Sequence, residues 1–164
     1  MKEINPDNFD FNPFNLKENW ALLTSGDENK INTMTISWGT FGFLWNKNIV
    51  TIYVRPQRYT KKFIDKTGYF TLSFFDNKYK SELTRLGRVS GANIDKLKDS
   101  PLSPYIDGNI VSFKEANIII VAKTLYVSEL KENDFLDSNI KNINYPNQDY
   151  SYQYIAEIEK ILIK

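Results

Sequence analysis

Short runs of β-branched and aromatic residues, each closed by a turn signal, set the limits on what this chain can fold into. Trp20–Ser25, Ile31–Ser37, Ile49–Val54 and Phe70–Phe75 are such runs, and Ile110–Phe113, Asn117–Leu130 and Ile155–Ile163 continue the series. Side chains of this kind suit a pleated, half-buried surface. Gly26-Asp27-Glu28-Asn29-Lys30 supplies turn residues between the first two runs, which therefore read as a hairpin. Helical signals are fewer. Thr60 reads as the cap of a helix through Thr67, with Phe63 and Ile64 inward and Gly68 as the stop. Lys80–Leu86 reads as a second helix ending at Gly87, and Asp95–Lys98 as a single turn. Phe135–Ile143 has no decisive period, and Asn142–Gln148 with its Pro146 reads as a loop. There is no internal repeat or linker. Many strands of similar length with two or three short helices predict a mainly β fold, a closed or partly closed barrel in one domain over residues 1–164.

Composition narrows the chemistry more than the fold. The chain has no Cys and no His. Thiolate nucleophiles, disulfides, imidazole bases and most zinc or iron–sulfur sites are thereby excluded. An enzyme built from this sequence would work through a bound cofactor or through carboxylates. Its carboxylates form no metal-binding series: Asp107-Gly108-Asn109 reads as a turn, and Glu157 and Glu159 alternate with apolar residues in a half-exposed strand. A net charge of +1 argues against a nucleic-acid binder. No apolar run approaches the ~20 residues of a membrane helix. Met1–Pro6 lacks the apolar core of a signal peptide, so the cytoplasm is the expected compartment.

Charge is nevertheless concentrated in one place. Asn29–Ile64 carries six Lys or Arg and no Asp or Glu. Arg55 and Arg58 bracket Pro56 at a strand end, and Thr60, Lys61 and Lys62 follow in the first turn of the expected helix. Guanidinium groups, ammonium groups and the free N–H groups of a helix start all favour an anion, above all a phosphate. A solvated basic strand end would have the same composition. Just upstream, strand alternation puts Asn32, Met34, Ile36 and Trp38 on one face and Thr33, Thr35 and Ser37 on the other. The hydroxyl face could meet a heteroaromatic ring, or simply water, as one side of an antiparallel sheet commonly does.

Taken in order, these segments resemble the flavin reductase-like proteins with an FMN-binding split β-barrel. The resemblance rests on Asn32–Gly39 (NTMTISWG), Gly42–Lys47 (GFLWNK), Val54–Thr60 (VRPQRYT) and Phe70–Phe75 (FTLSFF). It continues through Gly87–Lys96 (GRVSGANIDK), Tyr145-Pro146, Asp149-Tyr150 and Tyr154–Ile158 (YIAEI), and so covers roughly Trp20 to Ile158. It implies a Greek-key split barrel and a homodimer with FMN at the subunit interface. Position by position, it implies that Met34, Thr35, Ser37, Trp38 and Gly39 line the flavin ring and ribityl chain, with Asn32 on the same strand. Arg55, Arg58, Tyr59 and Thr60 would hold the phosphate, and Ser90 and Gly91 would form a neighbouring loop.

The sequence departs from the resembled pattern beside this site. An Arg/Lys-Asp pair is replaced by Ala92-Asn93, a His by Ser151, a Gly by Ala156, and a common Cys by Leu86. Flavin-binding positions are retained, whereas polar groups where a second substrate could dock are lost. The leading expectation is an FMN-dependent oxidoreductase passing hydride between NAD(P)H and flavin or an acceptor, with NAD(P)H a candidate partner. The alternative is a flavin-binding electron carrier or flavin store with no nicotinamide site.

Overall fold

The computed structural model describes residues Met1–Lys164. Ten strands and three α-helices follow one another as β1 (Lys2–Ile4), β2 (Ala21–Gly26), β3 (Ile31–Ile36), β4 (Gly39–Leu44), β5 (Lys47–Val54), α1 (Thr60–Thr67), β6 (Tyr69–Phe74), α2 (Lys80–Arg88), β7 (Pro104–Asp107), β8 (Ile110–Phe113), β9 (Ile118–Glu129), α3 (Ser138–Asn144) and β10 (Tyr152–Ile163). The main sheet runs β3-β2-β6-β9-β10-β5-β4, with β1 added on β10 and every pairing antiparallel. Its two outermost strands, β3 and β4, are consecutive in the chain and joined by only Ser37 and Trp38. A flat sheet of that width could not be spanned by so short a link, so the sheet curls until its edges meet at this corner. Register shifts on the β9–β10 pair, beside Leu125 and Glu159, mark the bulges that help bend it.

One interior results. Met34 and Ile36 of β3, Val50, Ile52 and Val54 of β5, Phe70 and Leu72 of β6, and Tyr154 and Ala156 of β10 all belong to a single buried cluster. Outside the barrel wall, α2 and the β7–β8 hairpin close over the other face of β2 through Leu22, Leu83, Leu86, Leu102 and Phe113.

Turn chemistry follows the sequence closely in two places. Asp27 Oδ1 accepts from the N–H groups of Asn29 (3.0 Å) and Lys30 (3.2 Å), closing the β2–β3 hairpin as expected. Gly68 ends α1 at φ 70°, a left-handed cap that suits glycine. Elsewhere the structure corrects the expectation. Thr60 is the first residue of α1, not its cap; Tyr59 precedes it without a side-chain cap bond. Helix α2 continues through Gly87 to Arg88, because the glycine lets the helix lie close against Thr35 of β3, where an added Cβ would stand 3.1 Å from that residue's own. The single turn expected at Asp95–Lys98 is present one residue later, over residues 96–99, whereas α3 occupies Ser138–Asn144, running into the segment expected as loop. Strand β4 was not expected; Trp45 (φ 55°) and Asn46 (φ 57°) make the tight turn that folds it back on β5.

Candidate functional site

The corner where β3 hands over to β4 is also where β5 ends and α1 and α2 begin and end. Two clefts open there. The first, of about 240 Å³, is lined by Met34, Thr35, Ile36, Ser37, Trp38, Tyr53, Arg55, Arg58, Gly87 and Ser151. The second, of about 140 Å³, is lined by Asn32, Gln57, Arg58, Tyr59, Thr60, Arg88, Val89, Ser90, Gly91 and Lys96. Arg58 belongs to both.

The fold thus collects eleven of the twelve residues singled out from sequence into two adjoining spaces. Met34, Thr35, Ser37, Trp38 and Arg55 lie on the first, Asn32, Tyr59, Thr60, Ser90 and Gly91 on the second, and Arg58 between them. Gly39 lies on neither; it pairs with Ile52 and packs near Leu16 and the Thr51 carbonyl. Of the three hydroxyls expected on one face here, the two on β3, Thr33 and Thr35, are not free. Thr33 is buried and bonded to Thr24 Oγ1 (2.9 Å), and Thr35 donates to the Leu83 carbonyl of α2. Ser37 and the half-exposed Trp38 remain at the rim.

The two arginines have different surroundings. Arg55 is neutralised: Nη1 meets Asp149 Oδ2 at 2.6 Å, Nη2 donates to the Asn144 carbonyl at 2.6 Å, and the guanidinium lies over the Tyr145 ring. Gln57 binds the same Asp149 oxygen at 2.6 Å. These bonds hold the Asp149 carboxyl below its ordinary range, the Arg55 bond first and that from Gln57 next. They also fasten the excursion between β9 and β10, with its Phe135, Tyr145 and Tyr150 ring cluster, to the end of β5. Tyr145 Oη bonds Ser151 Oγ at 3.1 Å, so Ser151 faces the first cleft already engaged.

Arg58 has no carboxylate partner. It donates to the Gly87 carbonyl at 2.9 Å, and burial, with Arg55 nearby, pushes its pKa down. Lys96 is more extreme. Its side chain is only 5% exposed, and Nζ donates to the carbonyls of Thr33 (2.7 Å) and Leu86 (2.8 Å). Burial first, then Arg58 and Arg85, lower its pKa to about 8. The second cleft therefore brings Arg58, Arg88 and Lys96 together with no Asp or Glu in its lining. Arg88 is exposed, but Lys96 is buried and Arg58 half-buried, and desolvated cations without counter-charge are costly unless an anion supplies it. Asn32 and Gly91 frame this space. Asn32 Nδ2 donates to Thr60 Oγ1 at 2.7 Å, and a Cβ on Gly91 would collide with Asn32 Oδ1.

Lys61 does not take part. It bonds Asp65 at 2.7 Å and lies over the Tyr152 ring, while Lys62 sits near the Tyr59 ring. Lys96, Arg88 and Tyr53 are among the lining residues that sequence reasoning did not single out as site residues. Lys96 lay within a quoted motif, but nothing in its local sequence shows that it is buried. Tyr53, whose phenol pKa is raised by burial and by Tyr145, is read from sequence only as one more strand aromatic.

No protein-family model matches this chain, and no curated protein matches it in sequence. Solved structures do. An FMN-binding protein from Thermus thermophilus with bound p-hydroxybenzaldehyde superposes with a TM-score of 0.67 at 16% identity, over 89% of this chain and 71% of that one. Flavoredoxin from Methanosarcina acetivorans gives 0.68 at 18% identity, over 100% and 76%. A flavin reductase with a split barrel domain from Shewanella frigidimarina, described as putative, gives 0.67 at 16% identity, over 89% and 67%. The fold is that of the flavin reductase-like split barrels.

Proposed function

We propose that this protein is a flavin-binding protein of the reductase type, holding FMN with its ring in the first cleft and its phosphate in the second. The observation that carries this reading is the carboxylate-free pocket of Arg58, Arg88 and Lys96 joined through Arg58 to a cleft lined by Met34, Ser37 and Trp38. A phosphate monoester supplies the counter-charge that the buried Lys96 and the half-buried Arg58 lack. When bound, FMN supplies the hydride chemistry, which is why a chain without His or Cys suffices.

The residues present bind, orient and exclude water. Lys96 and Arg58 donate charge-assisted bonds to the phosphate, and Asn32 and Gly91 set the shape of its pocket. Met34 and Gly87 offer apolar and close-approach surface to the ring, while Trp38 covers its edge. Arg55 acts as a positioning residue that holds the 130–151 excursion, and Ser151 with it, against the ring cleft.

A homodimer belongs to the same proposal. Phe43, Leu44, Trp45, Leu125, Tyr126 and Val127 are exposed apolar side chains on the β4–β5 turn and the second half of β9, and Trp45 and Tyr126 already touch edge to face. A second copy would cover them together with the rim at Trp38. NAD(P)H is the proposed electron donor. The carrier reading is favoured by one observation: Ala92 and Asn93 are exposed and neutral and offer no ion pair to a second substrate.

The test is direct. The purified protein titrated with FMN and riboflavin should bind FMN at least about tenfold more tightly, since each charge-assisted bond to phosphate contributes about 1.5–3 kcal/mol. Equal affinities would remove the phosphate assignment. NAD(P)H oxidation by the FMN-loaded protein then separates reductase from carrier.

A further inference from the structure

A cleft of about 360 Å³ lies apart from the two just described and shares no residue with either. It opens between the segment that precedes β2 and the junction where β6 ends and β9 begins. Its size falls within the roughly 300–1,000 Å³ of small-molecule sites. Its lining differs in kind from that of the cation pocket: five Asn, one Asp and four aromatic rings, with no Lys, Arg or Glu.

Backbone geometry sets the amides on two walls. Pro13–Lys17 is a short 3₁₀ helix, and its neighbours continue the coil: the Asn15 N–H donates to the Asn12 carbonyl at 3.1 Å, and the Asn19 N–H to the Asn15 carbonyl at 2.7 Å. Residues three or four apart in such a coil lie one above another. Asn12, Asn15 and Asn19 therefore form one column along the cleft, while Leu16 between them is buried. Asn12 Oδ1 accepts from the Phe14 N–H at 3.1 Å, which leaves its NH₂ as a donor; Asn15 and Asn19 are exposed. On the facing wall Asn117 Nδ2 donates to Asp76 Oδ1 at 2.7 Å, so Asn117 Oδ1 and Asp76 Oδ2 stand as a fixed pair of acceptors. Asn77 beside them adds a further exposed amide. The rings between the walls are held firmly. Phe11 packs at 5.0 Å from Phe41 and 5.2 Å from Phe74, and it stacks on Phe9 at 5.2 Å. Lys80, the cation beside Trp20, is already engaged: it lies over that ring at 4.4 Å and donates to the Glu18 carbonyl.

Amides and acceptors arranged around apolar rings, with no cation to draw an anion, match an uncharged ligand with hydroxyls on its edge and C–H groups on its face. A hydroxyl both donates and accepts, so it can meet an Asn amide in either sense. The slightly positive C–H bonds of a saturated ring meet the negative face of an aromatic ring. A phosphorylated ligand would instead meet Asp76 with no counter-cation. We propose that this cleft is a binding site for a neutral sugar of hexose size, free or as the terminal unit of an oligosaccharide. The site shares no residue with the flavin clefts, so each stands or falls without the other.

The full chain should be titrated with D-glucose, D-galactose, D-mannose and N-acetyl-D-glucosamine by calorimetry and saturation-transfer NMR. Maltotriose, lactose, mannobiose and chitobiose carry the same units at a chain end and form the second arm. At least one of the four monosaccharides is expected to bind saturably, and its 6-phosphate more weakly. Asn15→Ala combined with Asn77→Ala changes two exposed amides and should weaken that sugar by about tenfold. The thermal midpoint should stay unchanged and FMN affinity within about twofold. Asn19→Trp, which fills the cleft from its exposed wall, should abolish sugar binding. An oligosaccharide that binds about tenfold tighter than its monosaccharide, with the gain lost in Asn19→Trp, assigns the site to a chain end. Equal affinities assign it to the free sugar, and either result supports the site. Failure of all four sugars to bind at about 10 mM overturns it, as does binding that both variants leave unchanged. A 6-phosphate that binds more tightly than its parent sugar overturns the claim that the ligand is uncharged.

Discussion

Arg55 and Arg58 leave the same strand end on either side of Pro56, yet the structure gives them opposite electrostatic situations. Arg55 is met by Asp149, a backbone carbonyl and the Tyr145 ring. Arg58 meets only the Gly87 carbonyl and shares its cleft with two further cations. A paired guanidinium has little left to offer a ligand and much to offer the segment that pairs it. An unpaired and desolvated one is held at a cost that a bound anion removes. The contrast separates the part of this corner that fastens the fold from the part available for binding.

The largest effects expected are on the unpaired side. Lys96→Ala or Arg58→Ala should each lower FMN affinity by roughly 10–100-fold, from about 1.5–3 kcal/mol per charge-assisted bond. Riboflavin affinity should change little in Lys96→Ala. Fluorescence titration of both ligands checks this, and equal losses for the two would erase the distinction between the clefts.

Arg55→Ala should act on stability instead. A loss of about 1–3 kcal/mol is expected from the broken ion pair and the orphaned Asn144 carbonyl. It should be accompanied by easier proteolysis within residues 131–150, with the FMN-to-riboflavin affinity ratio preserved. A collapse of that ratio would return Arg55 to the phosphate.

The two sides should also differ with pH. Lys96 has a folded pKa of about 8 against an ordinary 10.5. Between those values the unfolded chain holds more protons, so the ligand-free protein should gain stability as pH rises through that window. FMN affinity should fall over the same interval as the ammonium is lost, and Lys96→Met should flatten both trends. Asp149 behaves in the opposite sense. Its folded pKa lies below the ordinary 3.8, so its contribution is present above about that pH and disappears as pH falls through the folded value. Asp149→Asn should remove that acid slope in a denaturation series.

The smallest effect is expected at Gly87. A methyl group there meets Thr35 Cβ at 3.1 Å, while the helix gains up to about 1 kcal/mol in propensity. Net stability should shift by less than about 0.5 kcal/mol. A measurable drop in FMN affinity without a drop in thermal midpoint would mark Gly87 as a close-approach position of the first cleft.

Much of the fold was legible in order along the chain. The runs at Ile31–Ser37 and Phe70–Phe75 overlap β3 and β6, and Gly68 ends α1 as expected, because strand periodicity and a left-handed glycine are local properties. The strand Gly39–Leu44 was missed because two of its six residues are glycines and much of it is exposed. Its signal, Trp45-Asn46 in a tight turn, is clear only once β5 is known to return beside it. Gly87 misled because a glycine tolerated within a helix for packing looks the same in sequence as one that ends it.

The sequence by itself determined that the chain is mainly β, that its chemistry excludes thiol and imidazole catalysis, and that Asn29–Ile64 is a basic stretch without acids. Those properties depend on residue identity and spacing alone. Only the tertiary structure decided which basic groups stay unpaired. Asp149 lies far along the chain from Arg55 and is brought to it by β10 pairing with β5, while Asp65 withdraws Lys61 across a single helical turn. Lys96 becomes an anion-binding candidate because the wrap of α2 over β3 buries its stem and leaves its ammonium between two backbone carbonyls. Counter-charge and burial depend on which distant segments fold together, and local sequence does not specify that.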